Sequence, residues 1–281
     1  MKRYRVINVD FDARANFLRL KIEDSWDEAA KASYRLSKEN IRQGLLREYG
    51  IENAQEKLQN FLDINASPFS ILAFHNKFFR QARNAFVVES YFPALTSACA
   101  LGERILNHLL VALRDFYKGT PEYKTVYKKE SFDDLDTSIN TLIAWDVLQP
   151  EAVAAFKELR DIRHKAIHFR PETDQHDRSL ALTAILTLAR IIDGQFSAFG
   201  THPWFIENTP GTSFLKKSME DRPFIQKIYI PNCALVGPYH KLTIHGGMWS
   251  VNDDFQYEDK DISDEEFANL YNDKAAHPKA T

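Results

Sequence analysis

Two cysteines in 281 residues, Cys99 and Cys233, make neither a CxxC pair nor a disulfide framework. Zinc ribbons and thioredoxin-like redox centres are thereby disfavoured. Ten glycines and eleven prolines are few for a turn-dense β-sandwich or a collagen-like chain. No Walker-type or GxGxxG loop occurs, which argues against ATP-driven and dinucleotide-dependent enzymes. The first residues, MKRYRVINVDFD, lack the apolar run of a signal peptide. The longest uncharged apolar stretch of the late helical pattern, Ser179 to Ala189, stops at Arg190, too short to span a bilayer. These absences together predict a soluble, cytoplasmic protein in a reducing compartment, with no membrane association.

What is present suffices for a packed core: 44% of residues are hydrophobic and 12% aromatic, so wholesale disorder is excluded. The expected fold class is mainly α. The net charge of −3 conceals an asymmetry. From Asn252 to Thr281 nine acidic residues face three lysines, so the first 251 residues carry a net +3. An acidic, solvated C-terminal segment is the simplest reading, and a segment that shields a basic surface is the sharper one. Bulk charge therefore neither demands nor excludes a nucleic-acid partner.

Three regions are expected: an N-terminal strand-helix extension (1–65), a helical bundle (66–200), and a small C-terminal β-rich appendix with an acidic tail (201–281). Loose alternation over residues 4–22 suggests one or two strands. Ser25 and Glu28 form a capping box before a helix that should stop at Gly50. A second helix over 52–64 precedes the polar break Asn65-Ala66-Ser67-Pro68, the best candidate boundary. Helices are predicted at 69–90, 93–118, 131–147, 151–168 and 178–199, the last apolar most of the way round and hence central. Beyond Gly200, segments 224–230, 234–236 and 242–245 read as strands, which the N-terminal strands can complete. Ser263 and Glu266 make a second capping box, opening a short last helix to about Tyr271.

The segment that carries chemistry is Glu158-Leu159-Arg160-Asp161-Ile162-Arg163-His164-Lys165-Ala166-Ile167-His168-Phe169-Arg170, an Arg-x4-His pattern closing a helix before Pro171. A histidine titrates near neutral pH and can remove or return the proton of a ribose hydroxyl. A permanently charged guanidinium can neutralise phosphate oxygens as charge accumulates on them. On an ideal helix, positions five apart diverge by about 140°, so Arg163 and His168 share a face only if the helix end deforms or a second subunit completes the cleft. Basic residues also gather at helix C-termini because they suit the macrodipole and the free carbonyls. The spacing of His164 and His168 matches a zinc-binding helix, but the glutamate that should follow the first histidine is replaced by Lys165.

The arrangement of this motif after a helix bearing Glu103, in Ala98-Cys99-Ala100-Leu101-Gly102-Glu103-Arg104, resembles the HEPN superfamily (higher eukaryotes and prokaryotes nucleotide-binding). The likeness covers roughly residues 69–199, with His164 in the polar position after the arginine. It implies a helical bundle that cleaves RNA without a metal or cofactor, as a homodimer bringing two motifs together, often as a toxin or defence effector held by an antitoxin or regulatory protein. On that reading Arg163 and His168 are catalytic, His164 and Glu103 support them, and Arg160, Lys165, Arg170, Lys128 and Lys129 contact RNA. The alternative is a non-catalytic HEPN-like module that binds nucleotide, RNA or a partner protein. Lys124, Lys128 and Lys129 interleave with Tyr123 and Tyr127 as a basic-aromatic patch in an expected loop.

Overall fold

The computed structural model describes residues 1–128, 130, 134–167, 177–209, 211, 213–245 and 248–273. Among them the chain is mainly helical, with strands in three two-stranded sheets. It divides into a helical unit (11–68 and 74–196) and a mixed unit (1–10, 69–73 and 197–281). This division departs from the sequence boundary at residue 65. The N-terminal helices belong with the bundle, while the first ten residues join the C-terminal part.

In the helical unit the elements are α1 (Arg14–Arg19), α2 (Glu28–Tyr49), α3 (Ala54–Asp63), α4 (His75–Val87), α5 (Tyr91–Leu113), α6 (Tyr123–Val126), α7 (Leu135–Ala144), α8 (Pro150–Ile167) and α9 (Asp177–Phe196). Residues 14–19 are helical, after the two short strands expected in the N-terminal segment: the Asp12 carboxylate accepts from the Arg14 N–H at 3.0 Å, opening a turn, and Phe17 stacks on Tyr34 of α2 at 4.6 Å. The cap of α2 is Asp27, which accepts from the Ala30 N–H at 2.7 Å, two residues later than the Ser25 box. Its end is at Tyr49, where Gly50 takes φ 84°, a conformation open to glycine at little cost.

The bundle centre follows the expected periodicity. Along α5 the side chains of Leu101, Ile105, Leu106, Leu109, Leu110 and Leu113 are buried, and α5 packs on α4, α7, α8 and α9. Along α8 the buried positions are Ala152, Ala155, Phe156, Leu159, Ile162 and Ala166, an i, i+3, i+7 stripe facing α9 and α5. The turn before α8 is pinned from α9: Gln195 Oε1 accepts from the Gln149 N–H at 2.9 Å and Gln195 Nε2 donates to the Val147 carbonyl at 3.0 Å. By length and composition α9 would also suffice to cross a membrane, but half of that stretch is buried in the unit.

The mixed unit is built on β1 (Arg3–Val6) paired antiparallel with β4 (Cys233–Val236), and on the hairpin of β5 (Lys241–His245) with β6 (Met248–Asn252). Strands β2 (Val9–Asp12) and β3 (Ser67–Ile71) pair with each other, so the polar break at 65–68 runs into a strand rather than a free linker. Segment 224–230 is helical instead of extended, with a π-type turn at Ile225–Tyr229. Phe224, Ile225 and Tyr229 are buried while Gln226 and Lys227 are exposed, which is a helical spacing and breaks the alternation a strand needs. The last helix, α10 (Asp264–Asn272), opens on the complete Ser263–Glu266 capping box. It contributes Phe267 and Ala268 to a cluster with Ile206, Phe214, Val236 and Ile262.

Candidate functional site

Helices α5 and α8 approach closely where Gly102 faces Leu159. A methyl group on Gly102 would clash with Leu159 Cδ2, so only glycine lets the helices meet there without displacing that buried side chain. The residues flanking this crossing then come within reach of each other. Glu103 follows Gly102, Arg163 lies one turn beyond Leu159, and Arg163 Nη2 stands 3.1 Å from Glu103 Oε2. Both side chains are about three-quarters covered, at 26% and 22% exposure, so the pair is less screened than a surface salt bridge. A guanidinium presents five donors in a rigid fork, so one edge can hold a carboxylate while another meets a phosphate. Cys99, one turn before Glu103, is buried beside this pair. Burial pushes its thiol up to about 12 against the opposing pull of Arg163, which leaves it an inert small hydrophobe.

Two further ion pairs join α8 to its neighbours. Arg160 pairs with Asp136 on α7 and with Asp161 at 2.9 Å, and these hydrogen bonds hold its guanidinium firmly charged. Glu158 pairs with Arg190 on α9 and accepts from the Thr187 hydroxyl at 2.8 Å, and the Arg190 bond first of all draws its pKa down. The polar edge of α8 is thus tied to three helices by three guanidinium–carboxylate pairs.

The structure brings Arg163 and Glu103 together, with His164 and Lys165 exposed on the following turn of α8. Arg160 is engaged by two carboxylates, so contact with RNA would require it to exchange them. Lys128 sits with its ammonium 5.2 Å from the centroid of the Tyr127 ring, and Tyr123 packs on Tyr127 at 5.5 Å. That patch includes the short helix α6, where a loop was expected, because Val126 turns inward and is fully buried. His168, Arg170 and Lys129 lie outside the described residues. Among the described residues no group of three or more His, Cys, Asp or Glu side chains is placed to hold a metal ion.

Two features of this region are not evident from the sequence. One is Gly102, whose role needs the partner helix in view. The other is a set of aromatic and basic side chains between α4 and α5: His108 stacks on Phe74 at 3.8 Å, and the Arg104 guanidinium lies 5.0 Å from the Phe78 ring centroid. The available signal was the i, i+4 spacing within each pair, Phe74/Phe78 and Arg104/His108. The chain has no match among protein-family models, curated proteins or solved structures.

Proposed function

We propose that the chain is a metal-independent endoribonuclease of the HEPN type, working as a cytoplasmic homodimer and serving as a toxin or defence effector restrained by an antitoxin or regulatory protein. The observation that carries this reading is the Glu103–Arg163 pair, 60 positions apart in sequence and 3.1 Å apart in space. The carboxylate fixes the guanidinium at the end of α8, five residues before His168. A pre-oriented guanidinium is what a phosphorane-like transition state requires, since no reorganisation is then needed as charge builds on the equatorial oxygens.

In the reaction, the 2′-hydroxyl attacks the adjacent phosphorus and the bond to O5′ breaks. This leaves a 2′,3′-cyclic phosphate on one product and a 5′-hydroxyl on the other. His168 takes the 2′-hydroxyl proton or returns one to O5′, with the second proton transfer assigned to the motif of the other subunit. Arg163 stabilises the charged phosphorus centre, Glu103 positions Arg163, and the exposed His164 and Lys165 are assigned to contact the strand.

The test is cleavage of RNA in EDTA by wild type, His168→Ala and Arg163→Ala protein. The expected result is cyclic-phosphate ends from wild type and a loss of at least a hundredfold in each variant. Equal cleavage by all three sinks the assignment. RNA binding by a wild-type protein that never cuts favours the non-catalytic module.

A further inference from the structure

We propose that the outer edge between α4 and α5 is a stacking track for single-stranded RNA. This inference deepens the ribonuclease reading, because it supplies that site with its substrate surface. On α5 the inward stripe of Leu101, Ile105 and Leu109 leaves Arg104 and His108 exposed. On α4 the inward Phe79, Ala82 and Phe86 leave Lys77 and Phe78 outside, Phe78 with 36% of its surface open. The result is two layered pairs one helical turn apart: the His108 ring on Phe74, 18° from parallel, and the Arg104 guanidinium over Phe78.

Each pair is held from below by an aromatic ring and ends in an exposed planar group. Imidazole and guanidinium planes are surfaces on which unpaired bases stack, whatever the sequence. The turn-to-turn spacing of about 6 Å along α5 exceeds the ~3.4 Å rise of a stacked duplex strand. The track therefore suits an opened single strand and disfavours a duplex.

Charge agrees with this occupant. Helix α4 exposes Lys77 and Arg80 and carries no acidic residue, while its third cation, Arg83, is buried against the Ile64 and Asn65 carbonyls. The one acid of α5, Glu103, is already paired with Arg163. Burial, and then the neighbouring Arg104, lower the His108 pKa, so its ring is a neutral platform at physiological pH. Glu103, which holds Arg163 of α8, directly precedes Arg104 on α5, about 100° around the helix from it.

The experiment measures binding of a fluorescein-labelled 2′-O-methyl oligouridylate by anisotropy, across a salt series at pH 7.5. That strand lacks the attacking hydroxyl, so binding is separated from cleavage. His108→Ala and Arg104→Ala are each expected to raise Kd about tenfold. His108→Phe restores tight binding, because it keeps the stacking plane. Arg104→Lys keeps the salt dependence of wild type but binds more weakly, since the charge stays and the plane is lost. Lys77→Gln reduces the slope of log Kd against log salt by about 0.7, the signature of one lost single-strand phosphate contact. Unchanged helical circular dichroism confirms that the variants fold.

The proposal is overturned if wild type does not bind the strand at 50 mM salt. It is equally overturned if His108→Ala and Arg104→Ala bind as wild type does, or if a duplex of the same length binds as tightly. The ribonuclease reading fails separately, when the strand binds through these residues but its unmodified counterpart is never cut. Were the unmodified strand cut equally well by wild type and the two alanine variants at limiting RNA, the track alone would be wrong.

Discussion

The two units bury polar groups in different ways. In the helical unit the interior is aliphatic and aromatic, and its buried donors finish nearby turns. Arg83 donates to the Ile64 and Asn65 carbonyls at the end of α3, and Gln195 to the Val147 carbonyl. In the mixed unit the buried arginines are held by side chains from the far end of the chain as well. Arg3, only 1% exposed, donates to Asp264 at 2.8 Å and to the Ile262 carbonyl, and lies over the Phe267 ring. Arg5, 8% exposed, donates to His240 Nε2. An arginine can only donate, so the imidazole accepts there and its Nδ1–H donates to the Gly237 carbonyl at 2.7 Å. These partners are 261 and 235 positions from the arginines they hold. A helical core can be assembled from repeated local faces, whereas a small mixed core of short strands depends on a few ionic contacts closed across the whole chain.

The largest expected effect breaks that closure. Arg3→Ala leaves Asp264 without its buried guanidinium and should cost the mixed unit about 3 kcal/mol. Hydrogen exchange would show protection lost in β4 and α10, with α5 and α9 serving as the internal reference. Equal loss everywhere would mean that the contrast between the units has no energetic counterpart.

In the helical unit pH reads a different kind of buried polar group. His75 is fully buried between Phe74 and Phe196, both ring nitrogens lack a hydrogen-bond partner, and burial drives its pKa down to about 3. The unfolded chain takes up the proton near pH 6.5, so it binds more protons than the folded chain between those values. Stability is therefore lost as pH falls below 6.5 and is independent of this group above it. The slope is at most about 1.4 kcal/mol per pH unit. The unfolding free energy from urea titrations should fall by about 2–3 kcal/mol from pH 7 to pH 4.5 in wild type, with this contribution absent in His75→Phe.

A smaller effect probes the crossing that builds the candidate site. Gly102→Ala gains about 1 kcal/mol of helix propensity but forces Leu159 to move, at about 1–3 kcal/mol. The net change in stability should be about 1 kcal/mol. If the Glu103–Arg163 pair matters to cleavage, activity falls further than that stability loss explains. The smallest effect belongs to Arg190→Ala. Its pairing with Glu158 is largely exposed, so thermal denaturation should shift by no more than about 0.5 kcal/mol.

Much of the helical unit was legible from spacing. The stripes of α5, α8 and α9 and the Gly50 stop all rest on side chains within two turns of each other. The Ser263 capping box in the mixed unit is equally local. Errors fell where a short apolar segment suits two geometries. Residues 224–230 suit a strand by composition, and the burial of Tyr229 beside Phe224 and Ile225 makes them helical. His240 is the acceptor for Arg5, a role that nothing near it in the sequence signals. In the candidate site, Arg163 and Glu103 stood out as residue types, whereas the close approach at Gly102 and the layered pairs of Phe74, Phe78, Arg104 and His108 did not. Aromatics at helical spacing look like core until the helix beside them is known.

The sequence by itself determined that the chain is mainly helical, where its long helices run, and that basic residues crowd the last turn of one of them. Those properties follow from propensity, capping and the 3.6-residue period, which act over a few residues. Only the tertiary structure decided that α1–α3 join the bundle, that β1 pairs with β4, and that Glu103 meets Arg163. Each of those is a contact between distant segments, chosen by which surfaces pack without a clash and which buried charges find a partner.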